Sequence, residues 1–483
     1  MEKRIELAPI SDSLVVERLR FENPWWHTGR ISDHFAQHQQ RAFFGGFLQE
    51  VQHNTLNRAV VLMGPRRVGK TVMMHHAIQR LIEAGVSPLQ MVYLSIDSPM
   101  YLQHSLDSLF ARARQLTGNK ASAGWYVFFD EVQYLKNWEQ HLKVLVDSYP
   151  QTKFVVSGSA AAALRFKSME SGAGRFTDVY LPPLSFYEYI QLKGLDQLLR
   201  PSGMPASANI KQFYSTIDIR RLNQHFVDYI NHGGFPELLF SDKMRNSPER
   251  YIKGDILDKV LLRDLPGLYG IQNVQALNAF FTTLAYYSGN EVSLDSLSKS
   301  SGVDKNQLKK YLEYLEAAFL IKVVHRIDQS AKRFQRATFY KIYLTNPSLR
   351  CALYGPLEPT NDMMGNMVET AIFAQWVPTL SDMPWYARWT AGRTQGEVDL
   401  IGLHRHNQKP AWATEIKWSN RFFEKPADLK SLLSFGEENK LNSALITSID
   451  KEGIKQHKGM LLQFIPAALY TYALGASMLS AAS

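Results

Sequence analysis

Five apolar residues, Ala59-Val60-Val61-Leu62-Met63, run directly into Gly64-Pro65-Arg66-Arg67-Val68-Gly69-Lys70-Thr71, and this junction constrains the fold more than any other stretch. A short apolar run bounded by a glycine reads as a buried strand. The octapeptide fits G-x-x-x-x-G-K-[ST] without a mismatch, and a helix is expected from Lys70 to Ala84. Strand, glycine-rich turn and helix together form the context of a phosphate-binding loop. The glycines let successive N–H groups face inward, and the helix adds its positive N-terminal dipole. Gly64 to Thr71 are therefore the expected ATP-binding residues, with Lys70 reaching the β- and γ-phosphates and the Thr71 hydroxyl on Mg²⁺.

At 483 residues the chain exceeds one ordinary domain, and about three are expected. The divisions read from the sequence are a lead-in (1–40), a P-loop core (41–195), a helical lid with a winged-helix segment (196–335) and a C-terminal domain (336–483). A net charge of +9 favours a polyanionic partner, with DNA the class considered. Cys351 is the only cysteine, which excludes an internal disulfide and argues against a cysteine-based metal site. No run approaches the apolar length of a membrane span, and the N-terminus lacks the apolar core of a secretory signal. A cytoplasmic protein without a membrane association is the expectation. Trp25 and Trp26, after Asn23-Pro24, read as packing anchors.

Between Ala59 and Lys193, short apolar runs alternate with helical ones. Strands are expected at Ala59–Met63, Met91–Ile96, Trp125–Phe129 and Lys153–Ser157, with helices between them, so a parallel sheet with crossovers follows. The third run ends in Asp130-Glu131, which places two carboxylates at the C-terminal edge of the sheet, where ligands bind in open α/β folds. Asp130 would hold Mg²⁺ through water, and Glu131 would orient or deprotonate the attacking water. The fourth run ends in Ser157-Gly158-Ser159; Ser159 is the first choice for a γ-phosphate or water contact, and Ser157 the alternate. Arg175 is the first candidate for an arginine that stabilises transition-state charge, and Arg165 the second. An arginine acting in trans would require a homo-oligomer.

After Gly194 the texture becomes mostly helical. Val292–Ile321 reads as a helix-turn-helix, with Asp304 capping its second helix, Gln307 at the capping-box position and a wing strand beginning near Phe319. Lys305, Lys309 and Lys310 stand near the start of that helix as candidate DNA phosphate contacts.

The order of the P-loop, Phe128-Phe129-Asp130-Glu131-Val132-Gln133, Val155-Val156-Ser157-Gly158-Ser159, Gly174-Arg175-Phe176 and Leu181-Pro182-Pro183-Leu184-Ser185-Phe186-Tyr187-Glu188-Tyr189 resembles that of the prokaryotic AAA-type ATPases that carry a C-terminal domain of unknown function. Gly233-Gly234-Phe235-Pro236-Glu237, Arg263-Asp264-Leu265-Pro266 and Lys341-Ile342-Tyr343-Leu344-Thr345-Asn346 agree with it. The resemblance runs from about residue 40 onward. It implies an α/β fold with a P-loop NTPase (AAA-like) core, a helical and winged-helix middle segment, and a C-terminal α/β restriction-endonuclease-like domain. One departure is Ser171-Gly172-Ala173-Gly174-Arg175, where such chains usually have Ser-Leu-Ala-Gly-Arg; the added glycine loosens the backbone before Arg175.

A second constellation lies near the C-terminus. In a strand, residues two apart share a face, so Glu397 and Asp399 point one way, as do Glu415 and Lys417. If these strands pair through the His404–Pro410 turn, then Asp399, Glu415 and Lys417 converge. Asp399 and Glu415 would hold Mg²⁺, and Lys417 would orient or activate a water, the D…E-x-K arrangement of restriction-type nucleases. Glu369, on a preceding helix, resembles the extra acidic position such folds often add. A solvated charged strand, or a vestigial site that only binds nucleic acid, is the competing reading. The sequence thus points to a Mg²⁺-dependent ATP hydrolase coupled to a nuclease-like, nucleic-acid-directed module. The alternative is a slow ATP-gated switch or scaffold whose C-terminal domain only docks a partner.

Overall fold

The computed structural model describes residues 11–53, 56–101, 103–119, 124–159, 174–204, 210–333, 339–378, 383–391 and 394–482. The chain forms two compact units, Met1–Leu181 and Pro182–Ser483.

The first unit is built on five parallel strands, β1 (Ala59–Met63), β2 (Met91–Ser95), β3 (Tyr126–Asp130), β4 (Lys153–Gly158) and β5 (Phe176–Tyr180), in the order β2-β3-β4-β1-β5. Every residue of β1, β3 and β4 is buried. That is why these strands read as continuous apolar runs rather than alternating ones. Helices Lys70–Glu83, Leu106–Thr117 and Trp138–Ser148 lie between them in sequence. The edge strand β5 was not anticipated. Its Phe-Thr-Asp-Val-Tyr sequence is buried only at Phe176 and Tyr180, so it lacks the apolar signature of its neighbours. The two tryptophans of the lead-in do anchor it: Trp25 and Trp26 each donate an indole N–H to the Met91 carbonyl, at 3.2 and 2.8 Å. Asn23 pairs with both the N–H and the carbonyl of Tyr93, at 2.7 and 2.8 Å, as a neighbouring strand would.

The second unit carries a short pair, β6 (Leu199–Pro201) and β7 (Tyr214–Thr216), and a nine-stranded mixed sheet. Its strands are β8 (Glu291–Ser293), β9 (Ile321–Ile327), β10 (Phe339–Leu344), β11 (Trp385–Ala391), β12 (Thr394–Leu403), β13 (Pro410–Glu415), β14 (Ser443–Ser448), β15 (Gly453–His457) and β16 (Met460–Pro466). They run in the order β15-β16-β14-β13-β12-β11-β9-β10-β8. The stretches expected as separate segments, 196–335 and 336–483, both contribute strands to this sheet, joined where β10 pairs with β8 and β9 and where β11 pairs with β9 through Tyr386 and Ala387.

Helices Leu294–Ser301 and Lys305–Ala317 follow β8 and meet at Gly302, whose φ of +69° is the left-handed cap that a glycine takes without strain. Asp304 caps the second helix through the amide of Asn306, at 2.9 Å, one residue before the expected partner Gln307. The hairpin β9–β10 comes next, with β8 on its outer edge. β12 and β13 pair antiparallel across the 404–409 turn, with Leu400 opposite Thr414, and β13 continues into β14 in parallel. One apolar core unites helices Met364–Ala374 and Ala467–Ala482 with Tyr386, Leu400 and Ile416. Another packs helix Lys430–Asn439 against Val398, Ile401 and Ile446. Among the described residues, no helix is long and apolar enough to cross a membrane.

Candidate ATP site and a carboxylate–lysine cluster

β1 delivers the octapeptide to the C-terminal edge of the parallel sheet, and helix Lys70–Glu83 begins at its end. The curl of the loop needs left-handed backbone at Arg67 (φ +66°) and Gly69 (φ +95°). The second is a conformation for which glycine is the natural residue. The Lys70 ammonium donates to the carbonyls of Gly64 and Pro65, at 3.1 and 2.8 Å, so it lies folded along the loop it is expected to serve.

The acidic pair reaches the loop across one intervening strand, because β4 sits between β1 and β3. Asp130 Oδ2 accepts from Thr71 Oγ1 at 2.6 Å and from the Tyr93 hydroxyl at 2.7 Å. Its Oδ1 accepts from Ser157 Oγ and from the Glu131 amide. Burial and the Asp130 charge push the Tyr93 phenol well above its ordinary range, so it stays a donor. Glu131 takes a left-handed conformation (φ +54°), unusual for a residue with a side chain and frequent at functional sites. Burial pushes its carboxyl above the usual carboxylate range, opposed by the Lys70 ammonium. Gln133 links Glu131 to Ser159: its amide nitrogen donates to Glu131 Oε2, and its oxygen accepts from the Ser159 N–H at 3.2 Å.

The structure therefore brings Lys70, Thr71, Asp130, Glu131, Ser157 and Ser159 to one sheet edge. Ser157, the alternate, is the residue that bonds the acid. The Ser159 hydroxyl is fully buried and has no hydrogen-bond partner among the described residues. A cradle of loop amides, an ammonium, a threonine hydroxyl with a carboxylate, and an orphaned buried hydroxyl fit a triphosphate with a hard, oxygen-seeking cation. Sequence reasoning missed Tyr93 and Gln133, whose parts depend on strand order rather than on local pattern.

Arg175 is not brought to this site within the chain. It stands just before β5, where its carbonyl accepts from the Ala59 N–H at 2.9 Å, and its guanidinium pairs with Asp147 at 2.8 Å. Ala59 begins β1 and the loop follows Met63, so Arg175 lies at the opposite sheet edge, roughly 15 Å away at the rise of a strand. Of the two possibilities left open for Arg175, action within its own chain or from a neighbouring copy, this placement does not support the first. Arg165 lies outside the described residues. His75 and His76 serve packing: His75 stacks on Phe35 with ring centroids 3.7 Å apart, and burial holds it neutral, its pKa lowered to about 3.

In the second unit, the pairing of β12 with β13 gathers Asp399, Glu415 and Lys417 as the strand spacing implied. Lys417 follows the end of β13, its amide donating to Thr447 Oγ1 at 2.7 Å. Its ammonium bridges Glu415 at 2.8 Å and Asp399 at 3.4 Å. Asp399 Oδ2 also accepts from the Ile416 amide at 2.9 Å. Glu369 joins them from helix Met364–Ala374. A further lysine does so from β10: Lys341 contacts Glu397 at 2.7 Å, Glu369 at 2.8 Å and Asp399 at 3.3 Å. The Tyr343 hydroxyl donates to Glu369 at 2.5 Å.

Burial opposes ionisation of Asp399, yet Lys417 and Lys341 hold its carboxyl below the usual range. Burial pushes Glu415 up to about 7 against the pull of Lys417. Among the described residues, no group of three or more His, Cys, Asp or Glu is placed to hold a metal ion. The Mg²⁺ expected on Asp399 and Glu415 thus meets carboxylates already bridged by ammonium groups. A lysine alone in the apolar strand Ile342-Tyr343-Leu344 was the one sequence signal for Lys341. Of the candidate DNA contacts, Lys305 is paired with Asp295, while Lys309 and Lys310 are exposed.

Residues 56–190 match the family model of an AAA domain, and residues 223–360 match a domain of unknown function. An uncharacterized protein of Methanocaldococcus jannaschii is 24% identical over 291 residues, 59% of this chain and 60% of that protein. Another, of Haemophilus influenzae, is 24% identical over 310 residues, covering 63% and 71%. The chain thus spans less than two thirds of the first of these relatives. The Aeropyrum pernix ORC1 protein, solved in complex with DNA, superposes with a TM-score of 0.33 at 12% identity, over 68% of this chain and 95% of that one, and no inference follows from a likeness at that level. The AAA-domain match coincides with the parallel sheet, the loop and the acidic pair described above, and the first unit carries the P-loop fold of AAA-type ATPases.

Proposed function

We propose that this protein binds ATP with Mg²⁺ on the loop Gly64–Thr71 and hydrolyses it. The observation that carries this reading is the Thr71–Asp130 hydrogen bond, which couples the loop's last residue to the acidic strand across β4. A carboxylate and a threonine hydroxyl held together there are the ligand pair that phosphoryl-transfer sites use. Bound Mg²⁺ would neutralise phosphate charge. The loop amides bind the phosphates, and Lys70 swings from the Gly64 and Pro65 carbonyls to the terminal phosphate oxygens. Tyr93 and Ser157 hold the Asp130 carboxylate in one orientation. Glu131, partly buried at the sheet edge, orients the nucleophile and accepts its proton. Ser159 offers its hydroxyl to a phosphate or to the water. ATP turnover that survives Lys70→Ala in the purified chain would sink this reading.

We further propose that the turnover serves a nucleic-acid-directed module in residues 274–466. Helix Val274–Tyr286, β8, two helices and the β9–β10 hairpin follow the order of a winged helix, with Lys309 and Lys310 on its second helix. The succession of helix Met364–Ala374, β11, β12, β13, helix Lys430–Asn439 and β14, with Glu369, Asp399, Glu415 and Lys417 along it, supports a restriction-endonuclease-like fold. Lys341 favours a second reading of the same domain, in which it docks nucleic acid without cutting it. Supercoiled DNA incubated with Mg²⁺ or Mn²⁺, with and without ATP, separates the two. Nicking abolished by Asp399→Ala supports cleavage, and intact DNA retained on the protein supports docking. Loss of that retention in a Lys309→Ala, Lys310→Ala pair, with a shallower salt dependence, would place the contact.

A further inference from the structure

Lys341 is 1% exposed and lies at the middle of β10, between β9 and β8. A buried ammonium is costly unless charged partners surround it, and here three carboxylates do so from two directions. Glu369 approaches from a helix, and Glu397 and Asp399 from β12, at 2.8, 2.7 and 3.3 Å. The ammonium donates hydrogen bonds to Glu369 and Asp399 and forms an ion pair with Glu397. Together with Lys417 and Glu415, and with Arg388 on the second oxygen of Glu397, the cluster sets four carboxylates against three cationic side chains. Negative charge is in excess, and the position where it converges is taken by Lys341. A second observation points to an unmet ligand: Glu415 is 7% exposed, and its Oε2 is buried without a hydrogen-bond partner among the described residues. Deleting the Lys341 charge would leave the carboxylates of Glu369, Glu397 and Asp399 without the cation they share. Such an oxygen set suits a divalent ion that keeps part of its water.

We propose that the Lys341 ammonium is the resident cation of this cluster, and that the carboxylates accept a divalent metal ion only when it is withdrawn. The wing-like hairpin and the carboxylate sheet are thereby joined by an internal cation, which closes the site rather than serving it. Burial raises Glu369, opposed by Lys341, and the surrounding acids raise Lys341 well above its ordinary range against the effect of burial. The surrounding acids keep the ammonium charged in place. The proposal does not rest on ATP hydrolysis.

The test is Mn²⁺ binding to the full nucleotide-free chain, read by electron paramagnetic resonance. Wild type should show no Mn²⁺ site that Asp399→Asn removes. Lys341→Ala should gain one site, at least tenfold tighter than any in wild type, and Lys341→Ala with Asp399→Asn should lose it. Thermal melts by circular dichroism report whether each variant folds. If Lys341→Ala does not fold, Lys341→Met with Glu369→Gln, which removes one charge of each sign, takes its place under the same criterion. Asp399-dependent Mn²⁺ in wild type overturns the proposal, and so does a folded Lys341 variant that binds no more Mn²⁺ than wild type. The wild-type arm needs no Lys341 variant to decide against it.

Discussion

The Thr71 hydroxyl donates to Asp130 Oδ2 over 2.6 Å, and the same oxygen accepts from the Tyr93 hydroxyl at 2.7 Å. One carboxylate, at the tip of β3, thereby ties the start of the loop helix to the middle of β2. All of its described partners are donors, since Ser157 and the Glu131 amide complete the set. An asparagine at 130 would turn an N–H₂ toward at least one of those donors. Asp130→Asn should therefore cost ATP turnover about 100-fold or more, through both lost charge and misplaced geometry. Tyr93→Phe removes a single donor, about 1 kcal/mol, and should slow turnover roughly fivefold with nucleotide binding nearly intact. Steady-state hydrolysis beside equilibrium binding of a fluorescent ATP analogue checks both.

Glu131 is the residue for which chemistry and binding should part. Its carboxyl sits above the usual range because it is buried, with Lys70 opposing. It must be ionised to accept a proton, so turnover should rise as pH increases through that raised value and then level off. Glu131→Gln keeps the shape, removes the base and abolishes the rise. Turnover should drop by about 100-fold or more, while affinity for ATP stays within a few fold. An unchanged rate would remove Glu131 from the role of water-positioning residue.

How far the sequence foretold all this depends on how local each signal was. β1, β3 and β4 are buried on both faces and were readable as apolar runs, and the loop and acidic pair follow directly from their ends. The β5 edge strand was not readable, because only its two end residues are buried. Asp399, Glu415 and Lys417 were brought together correctly because strand spacing and one turn sufficed. Lys341 escaped because its acidic partners lie 28 and 58 residues further along the chain. Only the order of strands in the sheet puts them together. The position of Arg175 was not legible for the same reason: its motif says nothing about which end of the sheet it occupies.

Arg175 should accordingly be dispensable within one chain. It is paired with Asp147 near the surface, where an ion pair contributes about 0–1 kcal/mol. Arg175→Ala should leave ATP turnover within about threefold at concentrations where the chain is monomeric, against the 10³-fold or larger effect of a transition-state arginine. A large loss that appears only with rising protein concentration would instead place it in a neighbouring copy's site.

Gly64 tests the packing beneath the loop rather than its chemistry. A Cβ at this position would lie 2.2 Å from the Leu181 carbonyl oxygen. That segment cannot easily retreat, because the Leu181 amide donates to the Met63 carbonyl at 2.8 Å. Gly64→Ala should destabilise the first unit by ~1–3 kcal/mol and weaken ATP binding as the loop is displaced. Gly69→Ala, where no atom lies within 4 Å of the added carbon, should act through backbone strain alone. The two are distinguishable by thermal melts with and without ATP.

Glu22 gives the stability of the first unit a pH dependence whose sign can be worked out. Its side chain is 4% exposed and accepts from Arg18 at 2.7 Å and from the Tyr101 hydroxyl at 2.9 Å. Burial pushes its pKa from the ordinary 4.5 up to about 7, with Arg18 and Tyr101 opposing. Between those two values the folded state holds a proton that the unfolded state has released. The contribution to stability is complete below about 4.5 and is lost as pH rises through about 7. Its full size is of order 3 kcal/mol, at 1.36 kcal/mol per pKa unit. Glu22→Gln keeps a neutral carbonyl for the Tyr101 donor and removes the titration. Melting temperatures of wild type should therefore fall more steeply between pH 5 and pH 8 than those of the variant. The variant should be the more stable of the two at pH 8. Parallel curves would mean that Glu22 is ionised in the folded state throughout, held so by Arg18, and that the burial of this carboxyl does not set its protonation.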